Sequence, residues 1–61
     1  MDWRLFDAER GLEIRGPLET GDYEIRRSEN PDVVVPLTPE GWNAFRAGDE
    51  EVEAMVYGRL G

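Results

Sequence analysis

Residues 12–27 read LEIRGPLETGDYEIRR, with the same alternation of apolar and polar side chains at both ends of the segment. In residues 12–15, and again in residues 23–26, the apolar side chains are two positions apart, so each set faces one side of a strand. Residues 16–22 contain two glycines and a proline, which favour turns, and they are too few to hold a crossover helix. The pattern predicts two neighbouring antiparallel strands.

Charge favours one register for this hairpin. Pairing Ile14 with Ile25 sets an arginine opposite a glutamate at two positions, and such cross-strand pairs attract. A shift by two residues, which pairs Ile14 with Tyr23, would instead set two glutamates opposite each other. The favoured register pairs Glu13 with Arg26 and Arg15 with Glu24.

Two further alternating segments flank the hairpin. Trp3 and Leu5 are two positions apart near the start of the chain, and residues 33–37 place Val33, Val35 and Leu37 on one face. This last segment also contains a proline, which has no N–H to donate, so the strand either runs along the edge of the sheet or ends there. Strands are predicted near residues 3–6, 11–15, 22–27 and 33–37.

Helical spacing replaces the alternation after residue 37. Thr38 is suited to the N-cap of a helix and Pro39 to its first position. Trp42 and Phe45 follow at helical spacing, so a helix is predicted near residues 39–47.

A second helical segment is predicted near residues 50–58. Gly48 suits the end of the first helix, and Asp49 can cap the second. The two segments form either one bent helix or two helices.

The chain is therefore expected to form a single α+β domain over residues 1–61. Its architecture is a small four-stranded antiparallel β-meander followed by one or two C-terminal helices. The predicted core consists of Trp3, Leu5, Leu12, Ile14, Tyr23, Ile25, Val33, Val35, Leu37, Trp42 and Phe45.

The composition narrows the classes of function. The chain contains no Cys, His or Lys, so disulfides, the usual zinc sites and the common nucleophile–base pairs have no residues to form them. We expect no catalytic activity, no metal and no cofactor. A domain of this size is only marginally stable alone, which favours help from a second chain.

The chain is strongly acidic, because 14 Asp and Glu residues stand against 7 Arg and give a net charge of −7. Such a chain repels phosphate backbones and anionic lipid, so neither direct nucleic-acid binding nor membrane binding is expected. The acidity either keeps the protein dissolved or attracts a basic partner such as the DNA-facing surface of a regulator. Because the first ten residues lack the apolar stretch of a signal peptide, a cytoplasmic protein is expected.

Two groups of side chains are candidates for contact with a partner. The adjacent pair Arg26 and Arg27 either joins cross-strand pairs and solvent or contacts an acidic patch. An apolar stripe on the second helical segment either packs on the sheet of its own chain or covers a partner helix or a second copy. The stripe consists of Val52, Met55, Val56 and Leu60.

The chain also resembles a known family. Residues 23–32, YEIRRSENPD, are similar to the valine-arginine-aspartate-serine-lysine-aspartate-proline segment of domain of unknown function 397, a family of small actinobacterial proteins that includes BldB-like regulators. Residues 35–48, VPLTPEGWNAFRAG, resemble its strand, its Thr/Ser-Pro-x-x-Trp-x-x-Phe helix start and its Ala-Gly. Trp3 and residues 12–14 match its N-terminal Trp and its Val-Glu-Val strand. Arg27 departs from the family pattern, which often has Asp there.

The resemblance implies a non-enzymatic accessory protein that binds a helix-turn-helix regulator, often encoded beside it, and modulates transcription in development or secondary metabolism. Some such pairs resemble toxin–antitoxin modules. Two alternatives stay open: an acidic inhibitor that mimics the charge of DNA, and a structural module that self-associates as a homodimer.

Overall fold

Four strands and two helices follow one another along the chain in a computed structural model, which describes residues 3–61. The sheet is antiparallel with the strand order β1-β2-β3-β4, so each strand pairs with its neighbour in sequence. This is the α+β architecture predicted, with two helices rather than one bent helix. The predicted boundary at residue 1 lies outside the described residues. The elements are β1 Arg4–Asp7, β2 Leu12–Arg15, β3 Tyr23–Arg27, β4 Asn30–Leu37, α1 Pro39–Arg46 and α2 Glu50–Leu60.

The central hairpin has the register that the charges favoured. Ile14 of β2 pairs with Ile25 of β3, and both side chains are buried. The flanking positions set glutamate opposite arginine on each side. These pairs are Glu13 with Arg26 and Arg15 with Glu24.

The last strand begins three residues earlier than predicted. β4 starts at Asn30 because the β3–β4 connection needs only Ser28 and Glu29 to turn. An irregularity in register between Arg26 and Arg27 accompanies this turn. Pro31, which lies between the third and fourth predicted strands, is therefore inside β4. β4 is an edge strand. A proline can occupy an edge strand because its missing N–H is not needed on the unpaired side.

The two helices are separated by a compact junction. Gly48 has a φ of +84°, a conformation that glycine adopts without strain, and the N–H of Asp49 donates to the carbonyl of Ala44 at 3.0 Å. The Asp49 carboxylate then accepts from the N–H of Val52 at 3.1 Å. Asp49 therefore closes α1 with its backbone and caps α2 with its side chain, which makes the helices separate elements.

The first helix begins as the sequence predicts. The Thr38 hydroxyl accepts a hydrogen bond from the N–H of Gly41 at 3.0 Å, and Pro39 occupies the first helical position. The helices end at residues 46 and 60, against predicted ends of 47 and 58.

Both helices pack on one face of the sheet and enclose a single core. Tyr23 is half-buried against this core, with its ring 5.6 Å from that of Trp42. Val33, predicted to be in the core, is only half-buried, because it lies nearer the hairpin end of the edge strand. The buried side chains are Leu12, Ile14, Ile25, Val35, Leu37, Trp42, Phe45, Val56 and Leu60.

The prediction that Trp3 and Leu5 belong to the core is wrong. Leu5 pairs with Glu13, whose side chain points away from the helices, and it is 63% exposed. Trp3 is half-buried over the same outward-facing arginines. Instead β1 turns Phe6 towards the helices, where its ring lies 4.9 Å from that of Trp42. Alternation identifies which residues share a face but not which face is covered.

Candidate interaction surfaces

The face of the sheet opposite the helices is open, and we call it the outer face. It is uncovered because both helices pack on the other side. The cross-strand pairs arrange its side chains in two rows, with apolar residues at both ends and charged residues in the middle. The outer face consists of Trp3, Leu5, Glu13, Arg15, Glu24, Arg26, Val34 and Pro36.

The charged centre of the outer face is internally neutralised. The Nε of Arg26 lies 2.7 Å from Oε1 of Glu13, and the Nε of Arg15 lies 2.5 Å from Oε1 of Glu24. Because glutamate alternates with arginine both along and across the strands, the signs form a checkerboard. These four side chains therefore carry no net charge, although the chain carries −7.

Trp3 covers this charged centre. The centre of its ring lies 4.0 Å from the guanidinium carbon of Arg26 and 4.8 Å from that of Arg15. Such cation–π contacts are attractive and strengthen when the cation loses water. Trp3 is thus a platform that holds both arginines in place. This contact could not be predicted from the residue pattern, because it depends on which face β1 turns outward.

We expect the Arg15–Glu24 pair to contribute a measurable coupling energy. A double-mutant cycle with Arg15→Gln and Glu24→Gln should give about 0.5–1 kcal/mol, because the pair is half-buried and lies directly across two strands. Urea unfolding of the four proteins measures it. The Asp7–Arg10 pair, longer at 3.6 Å and with an exposed arginine, is the control and should give about zero. Equal coupling energies for the two pairs would contradict the prediction that the Arg15–Glu24 pair stabilises the fold.

The apolar stripe of α2 is largely occupied by the protein's own core. Val56 and Leu60 are buried, and Val52 is half-buried against the same cluster. A partner could reach these side chains only by opening the core. Met55 alone remains accessible, at 42% exposure. The structure thus favours packing on the chain's own sheet over contact with a partner.

The pair Arg26 and Arg27 does not form one basic patch. Consecutive residues of a strand point to opposite faces, so Arg26 lies on the outer face while Arg27 lies on the helix side. There the guanidinium carbon of Arg27 is 5.6 Å from the centre of the Tyr57 ring, and its Nη1 donates to the carbonyl of Arg10 at 3.5 Å. An acidic partner could not contact both arginines at once.

A polar cluster that the sequence did not indicate joins the β1–β2 turn to α2. Arg10 donates to the Tyr57 hydroxyl at 2.6 Å and to Glu53 at 3.4 Å. The hydrogen bond to Tyr57 and then the charge of that group raise the pKa of Arg10 above its ordinary value, and Glu53 raises it further. Arginine is already protonated at neutral pH, so any stability that this contributes is lost only as the pH rises through the pKa of Arg10.

Most of the unpaired acidity lies away from the outer face, and Asp32, two residues before Val34 in β4, lies beside its edge. The unpaired carboxylates are exposed and form no ion pair with the described residues. They occupy turns, the start of β4 and the first turns or caps of the two helices. These residues are Glu9, Glu19, Glu29, Asp32, Glu40, Asp49, Glu50 and Glu51.

Residues 3–61 enclose no ligand-sized pocket and bring together no group of side chains suited to a metal ion. Neither α1 nor α2 has the length and apolar composition needed to span a lipid bilayer. Comparison with protein-family models, curated proteins and solved structures found no match to this chain.

Proposed function

We propose that the chain is a non-enzymatic, cytoplasmic accessory protein that binds a helix-turn-helix transcription regulator and modulates transcription, in some settings as one half of a toxin–antitoxin-like pair. One observation carries the proposal: eight exposed carboxylates form no ion pair with residues 3–61. These groups keep their full charge available to a basic partner. The family resemblance supplies the kind of partner.

The physical basis is electrostatic attraction to a DNA-binding surface. A regulator that binds DNA presents arginine and lysine to phosphates, and the same side chains attract a protein of net charge −7. Complementary charge accelerates association and selects the partner more than it sets the final affinity. Binding of this kind would compete with DNA for the regulator or change the regulator's affinity for DNA.

The arrangement of the carboxylates gives little support to the alternative of a DNA mimic. Such an inhibitor needs its carboxylates spaced like phosphates along one exposed face. Here Glu9 and Glu29 lie in turns at one end of the sheet, Glu19 lies in the turn at the opposite end, and Glu50 lies at the start of α2. An accessory that meets a regulator through part of its surface requires no such regular array.

Affinity capture tests the proposal. The purified, tagged chain is incubated with lysate of its native host at about 0.1 M salt, and bound proteins are identified by mass spectrometry. We expect a helix-turn-helix regulator, released at about 0.5 M salt because charge attraction is screened. Matrix without the chain is the control. Capture that yields no such regulator would count against the proposal.

A further inference from the structure

We propose that the outer face binds the outer face of a second copy of the chain, giving a face-to-face homodimer. Three apolar side chains remain accessible on this face: Leu5 is 63% exposed, Val34 is 36% exposed, and Pro36 is exposed. Trp3 is half-buried at its centre. An interface centred on a tryptophan with apolar flanks has the composition that protein contacts favour.

The pattern of the outer face is complementary to itself. In one row Leu5, Glu13, Arg26 and Val34 follow one another across the four strands. A two-fold axis that lies between two stacked sheets and runs along the strands reverses this order in the second copy. Leu5 then faces Val34, and Glu13 faces Arg26.

The second row, in which Arg15, Glu24 and Pro36 follow one another across β2, β3 and β4, is also complementary to itself. The same axis places Arg15 of one copy opposite Glu24 of the other, because these residues oppose each other across β2 and β3. Trp3, whose ring lies above the two central arginines, then lies close to the axis. Within these rows Leu5 meets Val34 and each of the four charges meets its opposite, which is how isologous interfaces are built.

Charge also favours a second copy over a basic partner at this face. The paired charges at the centre of the outer face sum to zero, so they offer the arginines and lysines of a DNA-binding surface no net attraction. Two copies that meet here keep the unpaired carboxylates of the turns and helix starts away from the contact, so the mutual repulsion of these groups is reduced by distance and by salt. The outer face and the acidic turns therefore serve different partners, and self-association does not depend on the proposed regulator.

The size of the outer face limits how tightly two copies can associate. The two larger extents of the molecule are 26 and 23 Å, so the contact can cover at most roughly 600 Å² per copy, against roughly 800 Å² in a typical stable interface. We therefore expect a weak dimer, half-associated at about 10–100 µM.

Sedimentation equilibrium between about 5 µM and 1 mM at physiological ionic strength tests the proposal. The apparent mass of the native chain should rise from 7.0 kDa towards twice that value. Val34→Glu should weaken association at least about tenfold, because it buries a charge against Leu5 of the other copy. Within its own chain the new carboxylate lies opposite Arg26, so the fold should persist, as far-UV circular dichroism can verify.

Met55→Glu is the matched control. It adds the same charge at a side chain of similar exposure, 42%, on the helix side, and should leave the dissociation constant within about twofold. A native chain that stays monomeric at 1 mM would overturn the proposal. So would equal weakening by both substitutions, or no weakening by Val34→Glu.

Complementation tests the orientation of the two copies. Leu5→Arg, which lies opposite Glu13 in its own chain, should also weaken self-association. Mixing the Leu5→Arg and Val34→Glu proteins should restore a dimer of mixed composition, since the arginine of one then meets the glutamate of the other. A mixture that remains monomeric, while the native chain dimerises, would contradict the predicted two-fold axis.

Discussion

Trp42→Ala is expected to lower the free energy of unfolding by about 3–5 kcal/mol. Trp42 is 7% exposed, and its ring lies within 4.9–6.4 Å of those of Phe6, Tyr23 and Phe45. Removing it leaves a cavity between α1 and the sheet. At roughly 0.05–0.15 kcal/mol per residue, a domain of this size has a total stability of about 3–9 kcal/mol. Much of the variant should therefore be unfolded at room temperature.

Trp3→Ala is the matched control, since it makes the same change on the opposite side of the sheet. Trp3 contacts Arg15 and Arg26 rather than the core, so its removal should cost about 1 kcal/mol. Urea unfolding followed by far-UV circular dichroism compares the two variants with the native chain. Equal losses of stability, or a larger loss for Trp3→Ala, would show that the core is misplaced.

Gly16→Ala is expected to lower the free energy of unfolding by about 2–4 kcal/mol. Gly16 has a φ of +139°, which side chains with a Cβ rarely adopt, and an added Cβ would lie 2.6 Å from Cδ2 of Tyr23 and 3.0 Å from the carbonyl oxygen of Asp22. The ring of Tyr23 is stacked on Trp42, and the carbonyl belongs to the backbone, so neither neighbour can retreat freely. Thermal unfolding should show the loss as a lower midpoint.

Gly58→Ala is the control for this substitution. Gly58 lies in α2, and an added Cβ would have no neighbouring atom within 4 Å. Alanine is favoured over glycine inside a helix, so this variant should gain about 0.5–1 kcal/mol. The two substitutions are chemically identical but have opposite expected signs. A Gly16→Ala protein as stable as the native chain would contradict the geometry of the β2–β3 loop.

Local rules were sufficient for much of the fold. The hairpin register followed from the charges beside Ile14 and Ile25, because a wrong register would set like charges opposite each other. The caps at Thr38 and Asp49 followed from their side-chain oxygens, which satisfy N–H groups that a helix start leaves unpaired. These signals act within one hairpin or one helical turn.

Local patterns could not predict which face of the sheet the helices cover or which residues far apart in the chain are in contact. The sequence pattern near Trp3 and Leu5 identifies a shared face, but only pairing with β2 determines that this face is the outer one. Phe6, the next residue after Leu5, then points to the opposite face and contacts Trp42. The same limit hid the Arg10–Tyr57 contact, which joins residues far apart in the chain.

Of the predicted partner-binding residues, the structure leaves few accessible. Val56 and Leu60 were candidates because a helical stripe looks alike whether it faces its own sheet or another protein, and here it faces its own sheet. Arg26 and Arg27 were candidates because they are adjacent, but adjacency in a strand separates side chains. Val34 was not a candidate, because the sequence does not show that its face of the sheet is uncovered, yet its side chain is 36% exposed.

The proposal that the chain acts by binding a basic regulator is tested most directly by calorimetric titration of the purified chain into a helix-turn-helix regulator captured with it from its host. We expect a dissociation constant below about 10 µM at about 0.05 M salt, weakening at least about tenfold at about 0.5 M salt because the attraction is between exposed charges. Absence of binding at low salt, or binding whose strength does not change with salt, would contradict the account.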